Sequence, residues 1–428
     1  MKAFTKCPGR FTRPNGAFPK LRYRFLFFRV SFIKNNNVMH HLSAITRLLK
    51  GTAFALILLL CADCKPASSQ PNPAHQDPSP AKRQKIMLAL LLDTSNSMDG
   101  LIEQAKSQLW KIVNELAAAK CTDGTPPEIS IALYEYGNDN LSSYEGYIRQ
   151  VSPLTNDLDA LSAKLFALST RGGAEFCGYV IRTSLEQLDW SAANNDLRMI
   201  FIAGNEPFNQ GNVPYNTACA LAKEKDVVVN TIFCGSFIEG VQTDWKRGAD
   251  LANGTYMSIE QDRRTVYIAT PYDDQISYKN EELNKTYVYY GHSGKSKKDA
   301  QVQEDKNAVH YGKENMVERT ISKSSHAYSN SSWDMVDAAK SNAKVVTELK
   351  TEDLPDEMKS MTLEQRQAYV KQKADERTKI QKEIQTLNAS RQKYIDTHTS
   401  EKDKAASLDV AMINALKERG KTKNLTWK

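Results

Sequence analysis

The sequence predicts an α/β protein: a doubly wound, mostly parallel sheet with helices on both faces, followed by a mainly helical C-terminal region. Three observations predict it. Apolar runs such as Ile86 to Leu92 (IMLALLL) lack polar alternation, as strands buried on both faces do. Segments with apolar residues at three- and four-residue spacing separate those runs. After about residue 276 the strand signal stops and charged, helix-prone sequence takes over.

The elements follow in order. Ile86 to Leu92 is the first strand. Leu101, Ile102, Ala105, Leu109, Ile112, Val113 and Leu116 mark one face of a helix. The stretch from Cys121 to Pro127 breaks the chain, and Glu128 to Glu135 is the second strand. Gly137 to Asn140 reads as a turn, with Tyr147 to Val151 pairing back as a hairpin. A helix is expected from about Phe176 to Leu188 and a third buried strand from Arg198 to Ala203. Pro214 opens a helix through Lys225, because proline suits a first helical turn. Val227 to Cys234 is the next strand, followed by a short helix at Trp245 to Leu251 and a last strand at Tyr256 to Ile259. Residues 85–275 form one domain on this reading. Residues 276–345 read as irregular and polar, with partly ordered loops and short helices expected and Trp333 as a packing anchor. Residues 346–428 read as a charged helical region, with a long helix over 361–396. Leu363, Val370 and Ile384 share one heptad phase there, but several expected apolar positions hold Lys or Arg, a weak coiled-coil pattern.

Charge is unevenly distributed. The chain carries +7, yet residues 1–69 hold 12 Lys/Arg and one acid, Asp63, while the remaining 45 basic and 49 acidic residues leave −4. The basic excess is therefore N-terminal, and a nucleic-acid partner is not expected. Arg47 and Lys50 precede an apolar run of about ten residues, too short to span a bilayer and suited to a secretory signal. Small residues from Ala67 to Ser69 offer a cleavage site, and Cys61 and Cys64 offer a lipoprotein-type anchor, although neither follows the usual small-residue pattern. An uncleaved signal anchor is the alternative. Met39 stands just before this segment and is a candidate true start. Residues 70–84 form a Pro-rich linker. The expected location is the cell envelope or periplasm, with membrane contact only through the signal or lipid. Such a compartment permits disulfides among Cys121, Cys177, Cys219 and Cys234; free buried thiols are the alternative.

Sheets of this class bind ligands beyond the carboxyl ends of their strands. That rule directs attention to residues 93–100, 169–178, 204–211 and 235–242. The first strand runs straight into DTSNSMDG, residues 93–100. Asp93, Ser95 and Ser97 supply one carboxylate and two hydroxyls, hard oxygen ligands suited to Mg²⁺, Mn²⁺ or Ca²⁺.

With strand, motif and helix in place, residues 85–275 resemble a von Willebrand factor A-type domain, and DTSNSMDG resembles the opening of its metal-ion-dependent adhesion site. The resemblance implies a metal held by three loops, with an acidic residue of a partner protein completing its shell. Two loops depart from the pattern. The family's Gly-Gly-Thr is Gly172, Gly173 and Ala174 here, so Ala174 cannot ligate; Glu175 offers a carboxylate instead, and Thr170 is a weaker substitute. The family's Thr-Asp-Gly aligns with Ala203, Gly204 and Asn205, so Asn205 or Glu206 would stand in for the aspartate. Either these residues make an altered divalent-cation site, or the site has degenerated and Asp93 and the serines only cap a helix. GGAEFCG and IFIAGNEPF also resemble a group of exported bacterial A-domain proteins over much of residues 85–395, which implies no particular substrate.

Histidine separates binder from enzyme. The seven histidines are His40, His41, His75, His292, His310, His326 and His398, so none lies in 85–275. A Ser-His-Asp triad or His-rich zinc site cannot be assembled there, and no phosphate-binding glycine loop is present. The expectation is a non-enzymatic binding module recognising a protein or glycan partner. The alternatives are a structural envelope protein whose helical C-terminal region carries the interaction, and, more remotely, a metal-dependent hydrolase.

Overall fold

A computed structural model describes residues 83–260, 262, 267–398 and 407–427. The expected signal segment, start site, lipid anchor and linker up to residue 82 lie outside the described residues.

β1 (Lys85–Asp93) is nine residues long and buried almost throughout. α1 (Asp99–Ala118) leads to a two-residue strand, β2 (Ala119–Lys120), and then to β3 (Glu128–Tyr136) and β4 (Ile148–Thr155). α2 (Leu158–Phe166), α3 (Cys177–Gln187), β5 (Leu197–Gly204), α4 (Tyr215–Glu224), β6 (Val228–Cys234), α5 (Phe237–Gln242), α6 (Trp245–Leu251) and β7 (Tyr256–Ile259) complete the sheet region. The six-stranded sheet has the order β4-β3-β1-β5-β6-β7. Only the β3–β4 pair is antiparallel. β1 is central, and the chain winds to one side of it through β3 and to the other through β5. The crevice of such a sheet therefore opens at the carboxyl end of β1.

Two apolar cores prove the double winding. Ile86, Leu88, Leu90 and Leu92 of β1 join α1 and α2 on one face. Ala89 and Leu91 join α3, α4 and Trp245 on the other. Cys121, Cys177, Cys219 and Cys234 are separate buried thiols, so the disulfides allowed by the sequence do not form here. No helix of the described residues is long and apolar enough to cross a membrane.

Beyond β7, where loops and short helices were expected over 276–345, the helices are longer: α7 (Asp273–Asn284), α8 (Gly294–His310) and α9 (Lys313–Lys323), followed by the short α10 (Met335–Ser341). α8 and α9 were hard to read because polar residues dominate their buried faces. α9 buries Asn315, Arg319 and Lys323, and α8 buries Gln301, Glu304 and Asp305. A fully buried Arg319 donates to Asp159 (2.7 Å) and Asp305 (2.6 Å), with its guanidinium over the Trp110 ring. Pairing and hydrogen bonding hold these charges inside where apolar contacts would otherwise be needed.

After α11 (Val345–Glu348), the long helix α12 (Leu363–His398) buries Val370, Arg377, Ile384 and Arg391 at heptad spacing. The seam is real and faces this chain's own helices. Arg377 pairs with Asp334 and Asp337, and Arg391 with Asp273 and Glu318. This explains the basic residues at the seam. Finally α13 (Leu408–Thr422) lies on α1 and over β5 to β7, adding Leu408, Met412 and Leu416 to the first core. β8 (Thr426–Trp427) pairs with β2. The far end of the chain thus completes one face of the sheet.

Candidate functional site

Asp93 ends β1 and is fully buried. Its Oδ1 accepts the Ser95 backbone N–H at 2.8 Å, while its Oδ2 has no partner. Glu175 is 3 % exposed, and its Oε2 also lacks a partner. The two carboxyl groups contact each other. Burial raises the Asp93 pKa well above the usual carboxylate range, and the side chain and charge of Glu175 raise it further; the Ser95 N–H and hydroxyl oppose this. Burial also raises Glu175, with Asp93 and Ser95 pulling down, the Glu206 carboxylate pushing up and the Glu206 backbone pulling down. Two buried acids in contact cannot both ionise without a compensating cation; otherwise they share a proton.

The walls of this site are built from glycine. A Cβ on Gly137 would lie 2.8 Å from both Asp93 Oδ1 and Glu175 Cγ, and Gly137 has φ +79°. A Cβ on Gly204 would lie 2.5 Å from the Tyr136 hydroxyl and 3.1 Å from Asp93 Oδ2. Glycine therefore lets the turn after β3 and the end of β5 close around the acids. Tyr136 donates to the Ala203 carbonyl at 2.9 Å beneath them. The loop holding Glu175 is fixed by the Arg171 N–H to the Thr94 carbonyl (2.9 Å) and by Asn138 to the Ser169 carbonyl (2.9 Å).

The remaining candidates divide. The Ser95 and Ser97 hydroxyls lie 3.3 Å apart, and Ser97 donates to Asn205 Oδ1 at 3.3 Å. Asp93, Ser95, Ser97, Asn205 and Glu175 therefore form one connected group. Glu206 contributes its backbone, whereas its carboxylate accepts from Gln210 at 3.1 Å at the surface. Trp245 anchors the Glu206 carbonyl from behind at 2.8 Å. Thr170 donates to Asp99, away from the buried pair. Of the helix-capping alternative, Asp93 Oδ1 accepts the Ser95 N–H at the head of the first helical turn, while the Ser95 side chain makes no cap bond. Among the described residues, no three His, Cys, Asp or Glu side chains are grouped to hold a metal. The oxygen set here is two carboxylates plus hydroxyls and an amide, the donor chemistry of a hard divalent cation, and two orphaned buried oxygens fit such an ion.

Tyr136 and Gly137 were not singled out by the sequence as parts of the site: Gly137 carried only a turn signal and Tyr136 none. Gly204 was placed in the third loop, where the family has its aspartate, but not as a wall packed against Asp93.

The pair makes stability depend on pH. Both folded pKa values are raised, so their contribution is complete below the unfolded value of about 4 and is lost as pH rises through the folded values. In chelator, the stability of wild type relative to Glu175→Gln should fall as pH rises above about 4, measured by thermal unfolding. A flat difference would contradict the contact.

No family model matches the chain, and no curated protein matches it. Solved structures are similar at low levels. The SpRpn10 VWA domain has 19% identity and TM-score 0.31, covering 42% of this chain and 88% of that one. The conserved hypothetical protein BatB from Bacteroides thetaiotaomicron has 16% identity and TM-score 0.31, with 41% and 90% covered. Proximal thread matrix protein 1 from the mussel byssus, with a zinc-occupied MIDAS motif, has 10% identity and TM-score 0.31, with 42% and 43% covered.

Proposed function

We propose that this chain is an exported, non-enzymatic binding module of the von Willebrand factor A type. On this reading its strand-end site holds a divalent cation and presents it to a protein partner at the cell envelope. One observation carries the reading: the buried carboxyl groups of Asp93 and Glu175 meet at the carboxyl end of the central strand, and each has one unpartnered oxygen, Oδ2 and Oε2. A cation would neutralise both acids, and Ser95, Ser97 and Asn205 would add neutral oxygens. Mg²⁺, Mn²⁺ and Ca²⁺ are the candidates, and an acidic group of the partner would fill the open side. The residues favour binding over chemistry, since no histidine lies in the sheet region to act as a base. The competing reading, a degenerate site in which the two acids share one proton, is favoured by the same burial and needs no metal.

Thermal unfolding at pH 7.5 separates the two. Millimolar Mg²⁺, Mn²⁺ or Ca²⁺ should raise the midpoint of the full chain, chelator should reverse the rise, and Glu175→Gln should remove most of it. Identical midpoints with cation and chelator would leave the shared-proton reading standing.

A further inference from the structure

α5 presents its apolar residues to solvent. Phe237, Ile238 and Val241 are 54, 68 and 41 % exposed, while Gly240 is buried against the sheet. The orientation is forced. A Cβ on Gly240 would lie 2.2 Å from the Tyr256 hydroxyl and 2.7 Å from Phe233 Cγ, so glycine alone fits the inward position. The Ser236 hydroxyl accepts the Glu239 N–H at 3.2 Å, and the Tyr256 hydroxyl donates to the Phe237 carbonyl at 2.7 Å. The three apolar side chains are therefore held together on one fixed turn, unlike apolar residues scattered singly over a surface.

This turn adjoins the strand-end site. α5 follows β6, and its end is tied to the loop after β5 that carries Asn205. The Phe208 N–H donates to the Thr243 carbonyl at 2.9 Å, and Trp245 holds the Glu206 carbonyl at 2.8 Å. β1, β5 and β6 are parallel neighbours, so Asp93 and α5 lie along the same edge of the sheet with only β5 between their strands. Two strand spacings are about 10 Å, the length of roughly three extended residues. A small free carboxylate cannot touch both places, whereas one extended peptide can.

We infer that the partner of the strand-end site is an extended protein segment that carries an Asp or Glu with a large apolar residue about three positions away. The carboxylate meets the cation, and the apolar side chain lies on Phe237, Ile238 and Val241. The inference rests on the cation reading above. Charge complementarity selects the acid, because the open side of a bound divalent cation attracts an anion. The apolar turn selects the acid's neighbour, and a turn already fixed loses little freedom on binding.

The test is selection of random displayed peptides on the Mn²⁺-loaded full chain, followed by calorimetric titration of one selected peptide. The selected sequences should pair Asp or Glu with Leu, Ile, Val or Phe about three positions away, and chelator should release the peptide. Ile238→Ser should weaken binding at least about tenfold, with Mn²⁺ uptake and the unfolding midpoint unchanged. Val309→Ser, at an exposed apolar position of α8, should leave the affinity unchanged. Chelator-sensitive peptides with an acid but no apolar neighbour, or equal affinity in Ile238→Ser, overturn the inference and leave the cation reading standing. No Mn²⁺ uptake, or peptide binding that survives chelator, overturns both. Self-association of the chain, or binding to anionic vesicles, that Ile238→Ser abolishes assigns the turn to a second copy or to a membrane and also overturns the inference.

Discussion

Replacing Arg377 with methionine is expected to destabilise the protein by about 3–5 kcal/mol, the cost of breaking a buried ion pair from one side. The guanidinium is 1% exposed and all five of its N–H donors are used. Nη1 donates to Asp334 and Asp337 at 2.6 and 3.0 Å, Nη2 to Asp334 and the Thr286 carbonyl at 3.2 and 2.7 Å, and Nε to the Thr286 hydroxyl at 3.0 Å. The group also lies over the Tyr287 ring, 4.1 Å from its centroid. Methionine keeps much of the stem volume but leaves Asp334, fully buried, facing an apolar atom. Lysine should not rescue, because a single ammonium cannot reproduce the planar fork. Lys371→Met on the exposed side of the same helix breaks only the surface pair with Asp375 and should cost under about 0.5 kcal/mol. Denaturant unfolding of the three variants measures the contrast. A loss below about 1 kcal/mol in Arg377→Met would mean that α12 is held by something other than this pairing. The same contacts show why truncation near residue 345 is a poor probe of partner binding. It would strip α12 from α7 and α9 and remove α13 from the sheet's own core.

Asp93→Asn carries the second large effect, and its sign depends on the cation. Asparagine is isosteric, can still accept from the Ser95 N–H, and can donate to Glu175. Without cation it replaces two competing acids by a hydrogen-bonded pair, so the chelated variant should be more stable than wild type at pH 7.5. The gain should be on the order of 1–3 kcal/mol, the scale of an unsatisfied buried polar group. With cation the order should reverse, because the variant loses half of the anionic charge of the site and should bind at least about 100-fold more weakly, beyond the 10–100-fold typical of changes outside the metal's direct ligands. A variant less stable than wild type in both conditions would mean that Asp93 is needed for packing rather than for a cation.

Much of the fold was legible because parallel strands buried on both faces leave unbroken apolar runs. β1, β3, β5 and β6 stand within a residue or two of where those runs fall. α2 and α5 were not read from the sequence. For α2 a signal existed: Asp157 caps the helix by accepting from the Ala160 N–H. In α5, Phe237, Ile238 and Val241 are exposed while Gly240 is buried against Phe233 and Tyr256, so its apolar pattern points away from the core. α8 escaped because its buried face, with Gln301, Glu304 and Asp305, is polar, and in α7 and α9 the few buried apolar residues, such as Ile276, Leu283, Val317 and Ile321, are interleaved with buried Asn280, Arg319 and Lys323. In the site, Asp93, Ser95 and Ser97 were legible from their own spacing, and Glu175 from the way its loop departs from a resembled pattern. The direction of the Glu206 carboxylate was not legible, since a one-residue difference in a loop decides whether a side chain points inward or to solvent.

Equilibrium dialysis of the chelated full chain against Mn²⁺ at pH 7.5 tests the central claim most directly. One ion bound per wild-type chain, and none at the same concentration in Asp93→Asn or Glu175→Gln, is the predicted result. No bound ion in wild type, or the same occupancy in all three proteins, would contradict it.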